Sequence, residues 1–155
     1  IKECDWSSDV CSSDLGFDAG QNQLSNSIAL GTGAGAQSGS AITQGQGAVA
    51  IGVNAGSNAQ GYDAIAIGYG AGLDDGTPLG DYQVAIGAYA AAGDGYNNSI
   101  VLNASGADFS PSNEGFYVNP VRYQATQDAT DDGIVFFNQS TKEFRYSYIL
   151  DGGSF

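Results

Sequence analysis

Val49-Ala50-Ile51-Gly52 and Ile65-Ala66-Ile67-Gly68 are two copies of one tetrapeptide, and their reading decides the fold. The pattern also stands at Ile28-Ala29-Leu30-Gly31 and Val84-Ala85-Ile86-Gly87, and a degenerate copy, Ile100-Val101-Leu102-Asn103, ends the series. Successive copies start 21, 16, 19 and 16 residues apart. Three residues past each glycine comes Ala34, Ala55, Ala71 or Ala90, followed by Gly35, Gly56, Gly72 or Ala91. The unit therefore reads Ile/Val-Ala-Ile/Leu-Gly-x-x-Ala-Gly/Ala.

Large β-branched residues alternating with Ala and Gly are a period-two signal, which marks a strand. Ile65 and Ile67 then share one face and Ala66 takes the other. The bare face lets another backbone lie close. Gly31, Gly52, Gly68 and Gly87 are expected to end each strand and to permit a turn with positive φ. Loops of uneven length, such as Leu73 to Leu79, then leave the register intact, as insertions do in stacked repeats. A helix is excluded by the glycine density, since each interior Gly costs about 1 kcal/mol relative to Ala. Hairpins are excluded by spacing, because copies 16 to 21 residues apart are too distant for tight turns.

The expected fold is all-β: a parallel β-solenoid (β-roll) of short irregular repeats, followed by a small C-terminal β-hairpin module. With coils about 4.8 Å apart, five of them advance about 19 Å. Each coil supplies only two large aliphatics, too few for a core that stands alone. Ile28, Leu30, Val49, Ile51, Ile65, Ile67, Val84, Ile86, Ile100 and Leu102 are expected to form an exposed stripe. Such a stripe marks an interaction surface, met most simply by identical chains packed around one axis.

Composition agrees with a thin interior. Gly makes up 24 of the 155 residues, and His and Met are absent. Seventeen acids face four bases, for a formal charge of −13. That charge disfavours nucleic acid and anionic membranes as partners. No apolar run approaches the roughly 20 residues of a membrane helix.

Trp6 to Leu15 resembles the translation of a common sequencing adapter over ten consecutive residues. Residues 1–15 are therefore expected to be foreign to the fold and disordered, with the native start upstream. Cys4 and Cys11 fall in or beside this segment and carry no inferred disulfide or metal. Residues 16–24 read as a lead-in, 25–108 as the solenoid and 109–155 as a C-terminal module that caps it. In that module Phe116-Tyr117-Val118 reads as a strand ended by Asn119-Pro120. Ile134 to Phe137 and Glu143 to Tyr148 read as a hairpin, with Phe144, Tyr146 and Tyr148 on one aromatic face.

Over residues 25–106 the repeat resembles the YadA-like head of trimeric autotransporter adhesins, whose repeats carry a similar Val-Ala-Ile-Gly core. The resemblance implies a parallel β-roll that assembles as a homotrimer. Ser99 to Gly106, Phe116 to Arg122, Asn138-x-x-Thr141-x-Glu143 and Tyr146-Ser147 resemble the ends of repeat proteins from large DNA viruses and marine phages. That resemblance implies a virion fibre; a bacterial adhesin head is the alternative origin.

Catalytic chemistry finds little material. Without His, the usual nucleophile–base pairs are missing. Asp74, Asp75 and Asp81 are the candidates for a glycosidase-type carboxylate pair, and solvated turn acids are the simpler reading. Asp74-Asp75-Gly76 and Asp131-Asp132-Gly133 place carboxylates in turns as calcium would require, but no full calcium motif is present. Gly33-x-Gly35 lacks the helix of a phosphate loop. The Asn-x-Ser sequons at Asn97, Asn103 and Asn138 are what an Asn/Ser-rich chain yields by chance. No catalytic, metal or cofactor residue is assigned.

The leading expectation is a structural or adhesive surface fibre that shows its loops to a host receptor or glycan. Tyr62, Tyr69, Tyr82, Tyr89 and Tyr96 are the candidate ligand-stacking aromatics; packing between coils is their ordinary alternative. A purely structural virion or surface-layer component is the second reading. A tailspike-like enzyme degrading polysaccharide is the third.

Overall fold

The computed structural model describes residues 13–21, 23–36, 44–73, 79–93, 95–121 and 134–147. The chain divides into two units, Ile1–Val121 and Arg122–Phe155. No helix occurs among the described residues.

The first unit is one parallel sheet of seven strands: β1 (Ser13–Leu15), β2 (Ile28–Leu30), β3 (Val49–Ile51), β4 (Ile65–Ile67), β5 (Val84–Ile86), β6 (Ile100–Asn103) and β7 (Phe116–Asn119). Sheet order follows chain order, so each strand pairs with the next after one full circuit of the chain. That topology is a β-solenoid. The register sets motif on motif: Val49 opposite Ile65, Ala50 opposite Ala66, Ile51 opposite Ile67. Circuits from β3 to β4, β5 to β6 and β6 to β7 take 16 residues each. The longer circuits, 21 from β2 to β3 and 19 from β4 to β5, hold residues 37–43 and 74–78 respectively.

Both corners of each coil are stacked columns of left-handed backbone. Asn54, Gly70 and Tyr89 lie in one column with φ of 55°, 60° and 53°. Asp63, Tyr82 and Asn98 lie in the other with φ of 52°, 57° and 56°. Asn, Asp and Gly suit this region; tyrosine does not. The strand-ending glycines have φ of 129° (Gly31), 128° (Gly52 and Gly68) and 111° (Gly87), as their sequence position required. They also have a second duty. A Cβ on Gly52 would stand 2.6 Å from the carbonyl oxygen of Gly68 on the next coil, so glycine here sets how closely coils stack.

Small side chains fill the interior. Ala29, Ala50, Ala66 and Ala85 are fully buried at the middle of their strands, as are Ala34, Ala55, Ala71 and Ala90 after the turn. A third buried column is polar. Gln23, Gln44 and Gln60 bridge in parallel, with Leu79 continuing the series. Gln44 Nε2 donates to the carbonyls of Ile28 (2.8 Å) and Ala48 (3.2 Å), and Gln60 Nε2 to those of Val49 and Ala64 (both 2.9 Å). Each glutamine so ties its own coil to the one before it. In the next coil Leu79 takes the glutamine position and the amide moves to Gln83, whose Oε1 accepts the N–H of Gly80 at 2.9 Å. A buried amide costs least when paired, and each glutamine here is paired through one atom only: Gln44 Oε1, Gln60 Oε1 and Gln83 Nε2 are buried without a partner, and the bonds to Ile28 and Val49 are the ones that cross between coils.

The solenoid extends beyond the expected 25–108. Ser13–Leu15, assigned on sequence to the foreign segment, pair with Ile28–Leu30, and Gly16-Phe17-Asp18-Ala19-Gly20 repeats the second half of the motif. Residues 16–24 thus complete a coil rather than lead into one; residues 1–12 lie outside the described chain. At the other end β7 belongs to the sheet, not to a separate module, and the unit boundary falls after Val121 instead of after residue 108. The solenoid also carries its own cap. The inward strand position grows from Ala85 to Val101 to Tyr117. Tyr117 meets Phe109 edge to face, with ring centroids 6.5 Å apart, and its hydroxyl donates to the carbonyl of Asn113 at 3.0 Å. Pro111 is buried in the same loop. Asn103 takes the glycine position here, its Nδ2 donating to the carbonyls of Ala88 and Ala107 (both 2.7 Å).

The second unit contains the expected hairpin, β8 (Ile134–Asn138) antiparallel to β9 (Glu143–Ser147). Asn138 Oδ1 accepts the N–H groups of Ser140 and Thr141 and shapes the turn. Phe137 and Phe144 are cross-strand neighbours with centroids 5.1 Å apart, and both are exposed.

Candidate functional site

The alternation within each strand puts alanine inward, so the large aliphatics face out. Ile28, Leu30, Ile86 and Ile100 are about 40% exposed, while Val49, Ile51, Ile65, Ile67, Val84 and Leu102 are half-buried. All ten residues of the expected stripe therefore lie on one outer face, in registered columns from β2 to β6. None of these columns holds a charge. The next column, just past the glycines, is Thr32, Val53, Tyr69 and Ala88, linked coil to coil by backbone hydrogen bonds; of these the sequence pointed to Tyr69, as a candidate ligand-stacking aromatic, and not to Thr32, Val53 or Ala88. Val53 and Tyr69 are exposed, as is Phe17 one coil before Thr32. The signal was the i, i+2, i+4 spacing of Val49, Ile51 and Val53, which runs on past the strand-ending Gly52.

Two groups of tyrosines flank this face. Beyond the glycines, Tyr69 and Tyr89 meet edge to face at 5.2 Å. Hydrogen bonding between these two phenols holds Tyr89 above the ordinary tyrosine range, and desolvation and the charges of Tyr69 and Asp108 push the same way. On the other edge Tyr62, Tyr82 and Tyr96 occupy three successive coils and are all exposed. A polar staircase runs beside them: Asn97 Oδ1 accepts the N–H of Asp81 at 2.9 Å, and Asp81 Oδ1 accepts that of Tyr62 at 2.8 Å. Asp81 is thus occupied in holding two coils together.

The remaining candidates scatter. Asp74, Asp75, Asp131 and Asp132 lie outside the described residues. Among the described residues, no group of three or more His, Cys, Asp or Glu is placed to hold a metal ion. Gly33 is a stacking glycine, since a Cβ there would meet Asn54 Oδ1 at 2.5 Å. Asn103 is buried, which removes it as a glycosylation acceptor. An open cleft of about 260 Å³ lies by Asp18, Asn54 and Asn58, with the one carboxylate bonded to Gln21 Nε2. No described helix is long and apolar enough to cross a membrane.

The charge is distributed in one sense. Residues 3–121 contain no Lys or Arg at all, while Asp18, Asp63, Asp81, Asp108 and Glu114 stand along the coils. The molecule's first unit is a parallel β-solenoid with an alanine interior, an uncharged apolar outer face and an anionic remainder. Comparison with family models, with curated proteins and with solved structures found no match to this chain.

Proposed function

We propose that the chain is a segment of a surface fibre: a homotrimeric β-solenoid spacer, on a virion or a cell surface, that presents its corners to a host receptor or glycan. The observation that carries this reading is the uncharged stripe from Ile28 to Leu102, registered over five coils of an otherwise acidic surface. Depletion of charge at the centre of an apolar patch is the mark of an interface core. The face is regular along the axis, so an identical copy in the same orientation meets it coil for coil. Resemblance of the repeat to the YadA-like head supports three chains in particular.

The mechanism is multivalency. A rigid rod carrying three identical edges multiplies weak contacts into useful avidity without any one contact being strong. The virion-fibre and bacterial-adhesin versions share this architecture and this mechanism. The test is binding of labelled protein to host cells or a glycan array, for the parent and for a stripe variant held monomeric. The reading expects avidity to fall by about 10²-fold or more in the monomer. Equal binding by both forms contradicts it.

A further inference from the structure

We infer that the edge formed by Tyr62, Tyr82 and Tyr96 is a binding site for an extended neutral glycan, laid along the solenoid axis with successive sugar rings against successive coils. This rests on the surface-fibre reading and names its ligand class.

The three rings are exposed by 51%, 60% and 38%. Packing does not account for them. Among the described residues none of the three stacks on another aromatic ring, and none of their hydroxyls hydrogen-bonds within the chain. Tyr69, Tyr89 and Tyr117 differ, since each has a ring partner.

Tyr82 also sits where tyrosine is a poor choice. Its φ of 57° belongs to a column otherwise filled by Asn26, Gly47, Asp63 and Asn98. A bulky residue held in left-handed backbone, with its ring in solvent, is strained without a compensating contact inside the chain. Tyr96 occupies the column of Gly45, Gly61 and Gly80. Two positions that elsewhere take small or turn-forming residues thus carry rings on adjacent coils.

The chemistry of the edge fits a carbohydrate. A pyranose offers an apolar C–H face to an aromatic ring and hydroxyls at its rim. Exposed Asp63, Asn97 and Asn98 lie on the same corner and supply acceptors and donors for those hydroxyls. Coils recur about every 4.8 Å, close to the length of one sugar unit in an extended chain. Charge narrows the class further. With no Lys or Arg between residues 3 and 121, sialylated, uronic or sulfated chains meet only repulsion, so the ligand is neutral.

The test is calorimetry on the full chain with neutral gluco-, manno- and chito-oligosaccharides of two to six units, and with sialylated and sulfated sets beside them. Tyr62→Ala and Tyr82→Asn are compared with the parent, with melting temperature and light scattering measured on every sample. Affinity for one neutral series should rise with length up to about three rings and fall about tenfold in each variant. Tyr82→Asn should melt no lower than the parent, because Asn accepts the left-handed backbone. A folded trimer that binds no neutral oligosaccharide, or prefers acidic ones, overturns the inference. So does a Tyr82→Asn variant that melts lower yet binds unchanged. Absence of a trimer in the parent strikes the fibre reading instead, whatever the glycans do.

Discussion

The amide of Gln60 is seated against Gly56: a Cβ on residue 56 would stand 2.5 Å from Gln60 Oε1. Gly56 also has φ of 56°. Space and backbone therefore make the same demand. Gly56→Ala should lose about 2 kcal/mol or more, read by urea unfolding. A variant as stable as the parent would show that the buried amide is not where the structure puts it.

The exchange between coils predicts a coupling. Gln60→Leu alone removes the Nε2 donor from the carbonyls of Val49 and Ala64, the second of which keeps the N–H of Val49, and should cost about 1–2 kcal/mol. Leu79 with Gln83 shows the other way to place one amide in a coil. Adding Ala64→Gln to Gln60→Leu should recover at least about 1 kcal/mol, although Ala64→Gln alone overpacks a filled position. A double-mutant cycle by thermal melting checks this; strict additivity would break the comparison between the coils.

Ala66 is fully buried between Ala50 and Ala85 in the sheet register. Ala66→Leu should therefore destabilise by about 3 kcal/mol, since backbones fixed by stacked glycines cannot move apart. Circular dichroism during heating reads the loss. A fully stable Ala66→Leu would mean the interior is wider than three alanines and an amide per coil require.

Much of this was legible in the sequence. Val49, Ile51, Ile65 and Ile67 announce strands because period two and β-branching agree, and the register then follows from aligning like with like. Gly52 and Gly68 were legible as turns but not as spacers, because their second constraint lies on the next coil. The glutamine column was not legible: Gln44 and Gln60 stand among glycines, where an amide reads as a solvated loop, and Leu79 interrupts the series. β1 was hidden by adapter-like residues, although Ala19-Gly20 kept the pattern. β7 was hidden because Tyr117 holds the inward position that alanine marks elsewhere. The tyrosine edge was visible as residues but not as strain, since φ at Tyr82 follows from its column.

Salt gives an independent check on assembly. Three copies of an acidic rod repel, with no Lys or Arg between residues 3 and 121 to offset Asp18, Asp63, Asp81, Asp108 and Glu114. Raising ionic strength from about 0.01 M to about 0.15 M shortens the screening length from about 30 Å to about 8 Å. The monomer–trimer equilibrium should shift toward trimer over that range in sedimentation equilibrium. A shift toward monomer would show that attraction between unlike charges, not the apolar stripe, holds the copies together.

The outward face of β4 gives the most direct test. Ile67 and Ala66 are neighbours in the chain on opposite sides of the sheet, so one tests assembly and the other the fold. Size-exclusion chromatography with light scattering, run with circular dichroism on the parent and on Ile67→Asp, measures both. The parent should elute with three times the chain mass of 15.8 kDa. Ile67→Asp should keep the β spectrum, because the buried alanines and glutamines that fill the interior belong to one chain and not to the aliphatic stripe, and should elute with the mass of one chain, because a carboxylate in the stripe would face its own copies. A parent that stays monomeric at high concentration, or an Ile67→Asp variant that still forms the trimer, contradicts the account.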